Sequence, residues 1–195
     1  EDLKEEIGPL DKARAIAGPL MPSLLAANPD PDSPAVVLFT SGTEGDPKGV
    51  VLSHANILSN IEQIARHVHI EPRDVFFNPL PTFHCYGLTG GTLWPILVGY
   101  PVALHPSPLQ TKIIAQRIEE TGATVMFGTD TFLNGYARAA NPYDFRSIRY
   151  LLAGAEPVRD STRHTYLEKF GIRILEGYGV TETAPALALN TPGAS

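Results

Sequence analysis

The chain has 195 residues, with 15 Lys and Arg against 21 Asp and Glu, a formal charge of −6 and a single Cys. That length makes one ordinary domain or two small ones, and 43% hydrophobic with 18% charged residues is a globular profile, not a disordered one. The acidic balance argues against a nucleic-acid or anionic-membrane surface as the main partner; one cysteine excludes a disulfide framework and a Cys-based zinc site, and points to a reducing compartment, the cytoplasm or the cytoplasmic face of the inner membrane.

Residues 1–28 read as helical, with Leu3, Ile7 and Leu10 on one spacing and Leu20, Leu24 and Leu25 on another. Glu1 begins without a basic-then-apolar leader, and EDLKEE at 1–6 is a solvated helix face. Pro29, Pro31 and Pro34, mixed with Asp30, Asp32 and Ser33, form a turn or linker. The expected organisation is therefore a helical segment and linker over 1–34 and a core over 35–195. Beyond the linker, strands are expected at 35–40, 75–78, 101–105, 124–127, 148–153 and 172–176. Helices are expected near 53–67, 88–97, 109–120, 131–140 and 160–170. Ser53 is a start signal for the first of these, and Gly122 a stop signal for the third. In the helix at 109–120, Ile113, Ile114 and Ile118 are expected to point inward, with Lys112, Gln116 and Glu119 in water. Alternation of this kind gives βαβ units, and strands apolar almost throughout are expected to be buried on both faces. The expected fold class is α/β, a mostly parallel sheet with helices on both faces.

From Val75 to Thr111 there is no Asp, Glu, Lys or Arg. Pro79, Pro81, Pro95, Pro101, Pro106 and Pro108, with Gly87, Gly90, Gly91 and Gly99, break the register that a spanning helix needs. Buried strands and a helix beside an apolar ligand fit the stretch better.

Four segments carry chemistry. At 40–49, TSGTEGDPKG follows a strand and precedes the expected helix at Ser53. Its glycines let backbone N–H groups approach an anion, Ser41 and Thr43 add hydroxyls, and Lys48 adds a charge, a set suited to polyphosphate. It is not a Walker A loop, because Lys48 stands between Pro47 and Gly49. At 83–87, FHCYG offers His84 for a carboxylate or a pocket wall; Cys85, with no charged neighbour in sequence, reads as packing and not as a nucleophile. AGAEP at 153–157 and GYGVTET at 177–183 each close an expected strand, where ligands sit in open α/β sheets. Tyr178, between Gly177 and Gly179, suits base stacking, and Glu182 suits Mg²⁺. His69 and Asp74 have the H-x-x-x-x-D spacing of glycerolipid acyltransferases but straddle Pro72 without that family's surroundings, and read as a coincidence.

Together and in this order, TSGTEGDPKG, FHCYG, AGAEP and GYGVTET resemble the core motifs of the adenylate-forming superfamily of acyl-CoA synthetases, luciferases and peptide-synthetase adenylation domains. The likeness runs from about Ala35 to Asn190. Glu44 in place of a commoner Thr, with SPLQTKI at 107–113, FGTDTFLNGYARAANPYDF at 127–145 and LEGYGVTET at 175–183, is similar to the synthetase part of bifunctional 2-acylglycerophosphoethanolamine acyltransferase/acyl-ACP synthetases. The resemblance implies that a fatty acid carboxylate attacks the α-phosphate of ATP, and that a thiol of acyl carrier protein or CoA then takes the acyl group. It implies a grip on the β- and γ-phosphates by Thr40, Ser41, Gly42, Thr43, Glu44, Gly45 and Lys48, and a place for His84 beside the acyl carboxylate. Gly154, Ala155, Glu156, Gly177, Tyr178 and Gly179 would frame the adenine, Thr181 would contact the α-phosphate, and Glu182 would bind Mg²⁺. Part of residues 85–135 would line an acyl tunnel, where ten methylenes would contribute ~8 kcal/mol before ordering costs.

The family's ribose-holding Tyr-Arg/Lys-Thr-Gly-Asp segment, hinge and small C-terminal domain do not occur in this sequence. The chain is therefore expected to be a piece of a longer enzyme, to bind ATP weakly and not to turn over alone. Lysophospholipid would be met through a domain not present here, and cut surfaces would favour a homodimer.

Overall fold

The structure, a computed structural model, describes residues 8–17, 28–40 and 46–191. Helix α1 (Pro9–Ala17) opens the described chain with no buried residue; the other leucines expected on its spacing lie outside the described residues. Strand β1 (Pro34–Thr40) does not lead to a helix. It pairs antiparallel with β2 (Lys48–Ser53), Thr40 opposite Lys48, as a two-stranded ribbon. The expected step from Gly-rich loop straight to helix is thus corrected: 41–47 joins two strands. The ribbon also corrects the expectation of two buried faces, since Leu38 and Leu52 are buried while Phe39 is 74% exposed.

Helix α2 (His54–His67) starts where Ser53 predicts, with a capping box in which Ser53 Oγ accepts the Asn56 amide and Asn56 Oδ1 accepts the Ser53 amide. The main sheet follows: β3 (Phe76–Asn78), β4 (Val102–Leu104), β5 (Val125–Gly128), β6 (Tyr150–Ala153), β7 (Ile174–Gly179) and β8 (Ala186–Leu189), in spatial order 4-3-5-6-7-8. Every pair is parallel except β7 with β8. The crossovers are α4 (Thr111–Thr121), α5 (Asp130–Ala139) and α6 (Asp160–Phe170), the first and last ended by left-handed Gly122 and Gly171. The α/β expectation holds. In α4, Ile114 and Ile118 point inward as expected but Ile113 is exposed, and Ala115 takes the third buried position.

The helix expected at 88–97 begins as a π-helix (Tyr86–Leu93) and continues as α3 (Trp94–Val98). Asn78, buried at the end of β3, is the cause. Its Nδ2 donates to Gly87 O (3.0 Å) and Thr92 Oγ1 (3.1 Å), and a Cβ on Gly91 would lie 2.2 Å from its Cγ. A polar side chain pressed against the helix takes up a carbonyl, that of Gly87, that a regular ladder would use, widening the turn.

At the opposite edge of the sheet, buried Asp74 fastens the strand starts. Its carboxylate accepts Thr124 Oγ1 (2.6 Å), Arg149 Nη1 (2.7 Å) and the Glu71 amide (2.7 Å), tying the residues that precede β3, β5 and β6. Asp74 is thus a structural anion, and His69 is exposed and takes no part in its hydrogen bonds. Burial pushes the Asp74 carboxyl up, but Thr124, the Glu71 amide and Arg149 outweigh it and hold it below the usual range. A lowered folded pKa contributes stability above the unfolded carboxylate's pKa and loses it as pH falls through the folded one. Arg149→Ala is expected to cost about 2–3 kcal/mol at pH 7 in urea unfolding. Asp74→Asn should flatten the loss of stability below about pH 4.

Candidate functional site

Parallel strands that begin at a common clamp end at a common edge, and there the described residues enclose a cavity of about 510 Å³. The ends of β6 and β7 make its back wall. Gly154 and Gly177 face each other across it, a Cβ on Gly154 falling 3.4 Å from Gly177 O. The chain leaves β6 through Ala155 at φ 70°, a left-handed turn that a non-glycine residue adopts at a cost and that directs the backbone past the cavity mouth. Gly179 is held tighter still: a Cβ there would meet Pro185 O at 2.1 Å, so only glycine lets β7 pass the turn into β8.

Of the residues expected to bind, Thr40, Lys48, His84, Gly154, Ala155, Gly177, Tyr178, Gly179, Thr181 and Glu182 all line this one cavity. Ser41, Gly42, Thr43, Glu44 and Gly45 lie outside the described residues. The feet of their loop are in place, however: Thr40 Oγ1 donates to Lys48 O (3.5 Å) at the last pair of the ribbon, and both residues face the hollow. Tyr178 stands opposite Ala188 in the β7–β8 pair and is 65% exposed, an aromatic face at the cavity rim with no ring stacked on it among the described residues. His84 is exposed, and its Nδ1 accepts the Tyr86 amide (3.3 Å), so the neutral ring carries its proton on Nε2.

Glu156 is the exception. It does not line the cavity; its carboxylate accepts the Thr131 amide (2.8 Å) and Thr131 Oγ1 (3.0 Å) at the start of α5. Burial pushes this carboxyl up, and the hydroxyls of Thr129 and Thr131 with the Thr131 amide pull it below the usual range. The resemblance places Glu156 among the residues that frame the adenine; its side chain instead caps a helix, an acidic group on an N-terminal amide.

Between the polar rim and the core stands Cys85, whose Sγ lies 3.9 Å from Thr181 O and 3.9 Å from Thr89 Oγ1. Burial pushes its thiol up, and the nearby Glu182 charge adds to that; it is packing, as the sequence predicts. Beyond it the wall is apolar and aromatic, with Tyr86, Gly90, Trp94 and Phe127 inside the stretch 85–135. Tyr86 Oη donates to Leu152 O (2.8 Å), and burial pushes its phenol up, so it remains a neutral donor. Ile64, Leu152, Pro185, Ala186, Ala188 and Leu189 also line it and were missed in sequence. Ile64 carries only ordinary helical periodicity, and Ala186–Leu189 reads as a weak strand because alanine has little β preference.

No group of three or more His, Cys, Asp or Glu suited to a metal is found among the described residues. The donor set does fit Mg²⁺ bound beside phosphate, which needs one or two carboxylates and completes its shell with phosphate and water oxygens: Glu182 lines the same cavity as Lys48 and Thr40. No helix among the described residues is long and apolar enough to cross a membrane.

Residues 2–195 match the AMP-binding enzyme family, and the chain belongs to it. It is similar to a medium-chain fatty-acid–CoA ligase of Escherichia coli strain K12, 32% identical over 161 residues, covering 82% of this chain and 28% of that protein. It is also similar to a long-chain-fatty-acid–CoA ligase of Bacillus subtilis strain 168, 33% identical over 162 residues, 80% of this chain and 28% of that protein. Among solved structures, a malonyl-CoA ligase with methylmalonyl-CoA and AMP bound superposes with a TM-score of 0.79 at 28% identity, covering 87% of this chain and 37% of that one. The chain thus spans a little over a quarter of the length of the curated relatives it matches, 28% in both.

The glycine contacts give a direct test of the back wall. Gly179→Ala is expected to destabilise the chain by roughly 1–3 kcal/mol through displacement of the β7–β8 turn. Gly154→Ala, whose Cβ meets nothing closer than 3.4 Å, should fold with a nearly unchanged urea midpoint.

Proposed function

We propose that this chain forms the nucleotide- and acyl-binding face of an ATP-dependent, AMP-forming acid–thiol ligase acting on fatty acids, with CoA as thiol acceptor. The single observation that carries the proposal is that Thr40, Lys48, His84, Gly154, Tyr178, Thr181 and Glu182, drawn from four separated motifs, line one cavity. The fatty-acid and CoA specificity draws its support from the names of the two ligases above.

In the proposed reaction ATP is a substrate. A carboxylate oxygen forms a bond to the α-phosphorus while the α–β bridging bond breaks and pyrophosphate leaves. The thiol sulfur then bonds to the acyl carbon and AMP departs. Lys48, with Thr40 and the loop residues Ser41, Gly42, Thr43, Glu44 and Gly45, would hold the β- and γ-phosphates. The Thr181 hydroxyl would donate to the α-phosphate, and His84, donating from Nε2, would orient the incoming carboxylate. Tyr178 would stack on the adenine against the bare backbone of Gly154, Ala155, Gly177 and Gly179. Glu182 would hold Mg²⁺, whose contribution when bound is to neutralise phosphate charge. Donors fixed before the reaction stabilise the charge that develops as pyrophosphate leaves, without reorganisation.

A second reading gives acyl carrier protein as acceptor, within a phospholipid-reacylating enzyme that also meets lysophospholipid. Glu44 and the strings at 107–113, 127–145 and 175–183 favour it. Supplying CoA and acyl carrier protein separately to the full-length protein decides between the two acceptors.

In pyrophosphate exchange with a fatty acid, Lys48→Ala and Thr181→Ala are expected to lower the full-length rate by ~10²–10³-fold. Glu182→Gln should raise the Mg²⁺ concentration needed for half-maximal rate. Unchanged exchange in all three variants would overturn the proposal.

A further inference from the structure

His84 is an exposed side chain on a turn, residues 79–84, that joins the end of β3 to the helical stretch beginning at Cys85. Both ends of that turn are held by one side chain. Asn78, the last residue of β3 and 1% exposed, accepts the Leu80 amide at Oδ1 (3.0 Å). Its Nδ2 donates to Gly87 O (3.0 Å) and to Thr92 Oγ1 (3.1 Å), and Thr92 Oγ1 donates to the same Gly87 O (2.9 Å). The carboxamide therefore has a partner at the start of the turn and two beyond its end. Bare backbone makes room for this: a Cβ on Gly91 would strike Asn78, and a Cβ on Gly87 would lie 2.3 Å from Pro81 O, in the turn itself. From Pro81 the path runs to His84, whose amide donates to Pro81 O (3.2 Å) and whose carbonyl accepts the Leu88 amide (2.9 Å). Asn78 is fixed to the sheet in turn, its carbonyl accepting the His105 amide (3.0 Å) at the end of β4. Its side chain does not line the cavity; that of His84 does.

We infer that Asn78 is a positioning residue for acid activation: without touching substrate, it holds His84 at the cavity by bridging the two ends of the turn that carries it. The inference deepens the proposed function and rests on the role given there to His84. An exposed imidazole on a short turn would otherwise have to be ordered when the carboxylate arrives, at a cost in entropy. A buried carboxamide orders the turn beforehand, and it does so in one register only, because any slip leaves a buried N–H or C=O without a partner. An aliphatic side chain of similar size would fill the notch at Gly91 and fix no register.

The test is a double-mutant cycle in the full-length protein, read as acid-dependent pyrophosphate exchange. Asn78→Ala is expected to lower kcat/KM for the fatty acid by ~10–100-fold while KM for ATP stays within about twofold of wild type. In a His84→Ala background the same change should cost less than about twofold further, because the side chain it acts through is already gone. Thr92→Val removes one partner of Nδ2 and keeps the shape; it should shift the same parameters in the same direction, and it keeps the cycle decisive if Asn78→Ala does not fold. Equal losses with and without His84, equal losses for acid and ATP, or wild-type rates in the Asn78 and Thr92 variants would overturn the inference and leave the proposed function standing. A wild-type rate in His84→Ala would overturn it as well. Absence of acid-dependent exchange in the wild type would remove both.

Discussion

One buried carboxylate fastens the starts of three parallel strands, and what lies at the other end of the sheet depends on the register it sets. Asp74 reaches Thr124 and Arg149, the residues preceding β5 and β6, from its own place before β3. Strands in step at one edge are in step at the other. There the ends of β5, β6 and β7 come level, and the loops that leave them open on a common hollow. A buried charge is tolerable only with its partners in place, so the clamp is a condition of the fold and not an addition to it.

At the open edge the chemistry is made largely by what is missing. Gly154, Gly177 and Gly179 present bare backbone, and Ala155 turns the chain away in a left-handed conformation. The polar groups arrive from outside the sheet: Thr40 and Lys48 from the ribbon, His84 from the turn before the π-helix, and Thr181 and Glu182 from the 3₁₀ turn after β7. A membership in the AMP-binding enzyme family is consistent with a hollow whose described lining holds the ammonium of Lys48, the carboxylate of Glu182, an exposed aromatic ring and an apolar wall.

Much of this was legible in the residues. The alternation of apolar runs with helical periodicity gave the parallel sheet, and Ser53, Gly122 and the glycine-flanked Tyr178 marked a cap, a stop and a rim. Three features were not legible in the local pattern. β2 lies between the Gly-rich string and the expected helix at Ser53, where residues 48–52 carry no expected element, although only seven residues separate it from its partner strand and the ribbon could be closed. The π-helix depends on Asn78, which no local periodicity in 86–93 announces. Glu156 stands in a motif that faces the cavity, yet its carboxylate is drawn to Thr131, a helix start far along the chain that sequence spacing does not reveal. Ile113 fails for a simpler reason: three isoleucines within six residues cannot all share the narrow face that Ile114 and Ile118 already occupy.

The central claim is that the foot of the Gly-rich loop and the ring of Tyr178 serve one nucleotide. Amide resonances followed during titration with adenosine, AMP and ATP plus Mg²⁺ test it most directly. The account predicts that adenosine moves Gly154, Ala155, Gly177, Tyr178 and Gly179 but neither Thr40 nor Gly49, and that ATP moves all of these with a single midpoint. Movement of only one of the two regions by ATP, or movement of both with different midpoints, would contradict it.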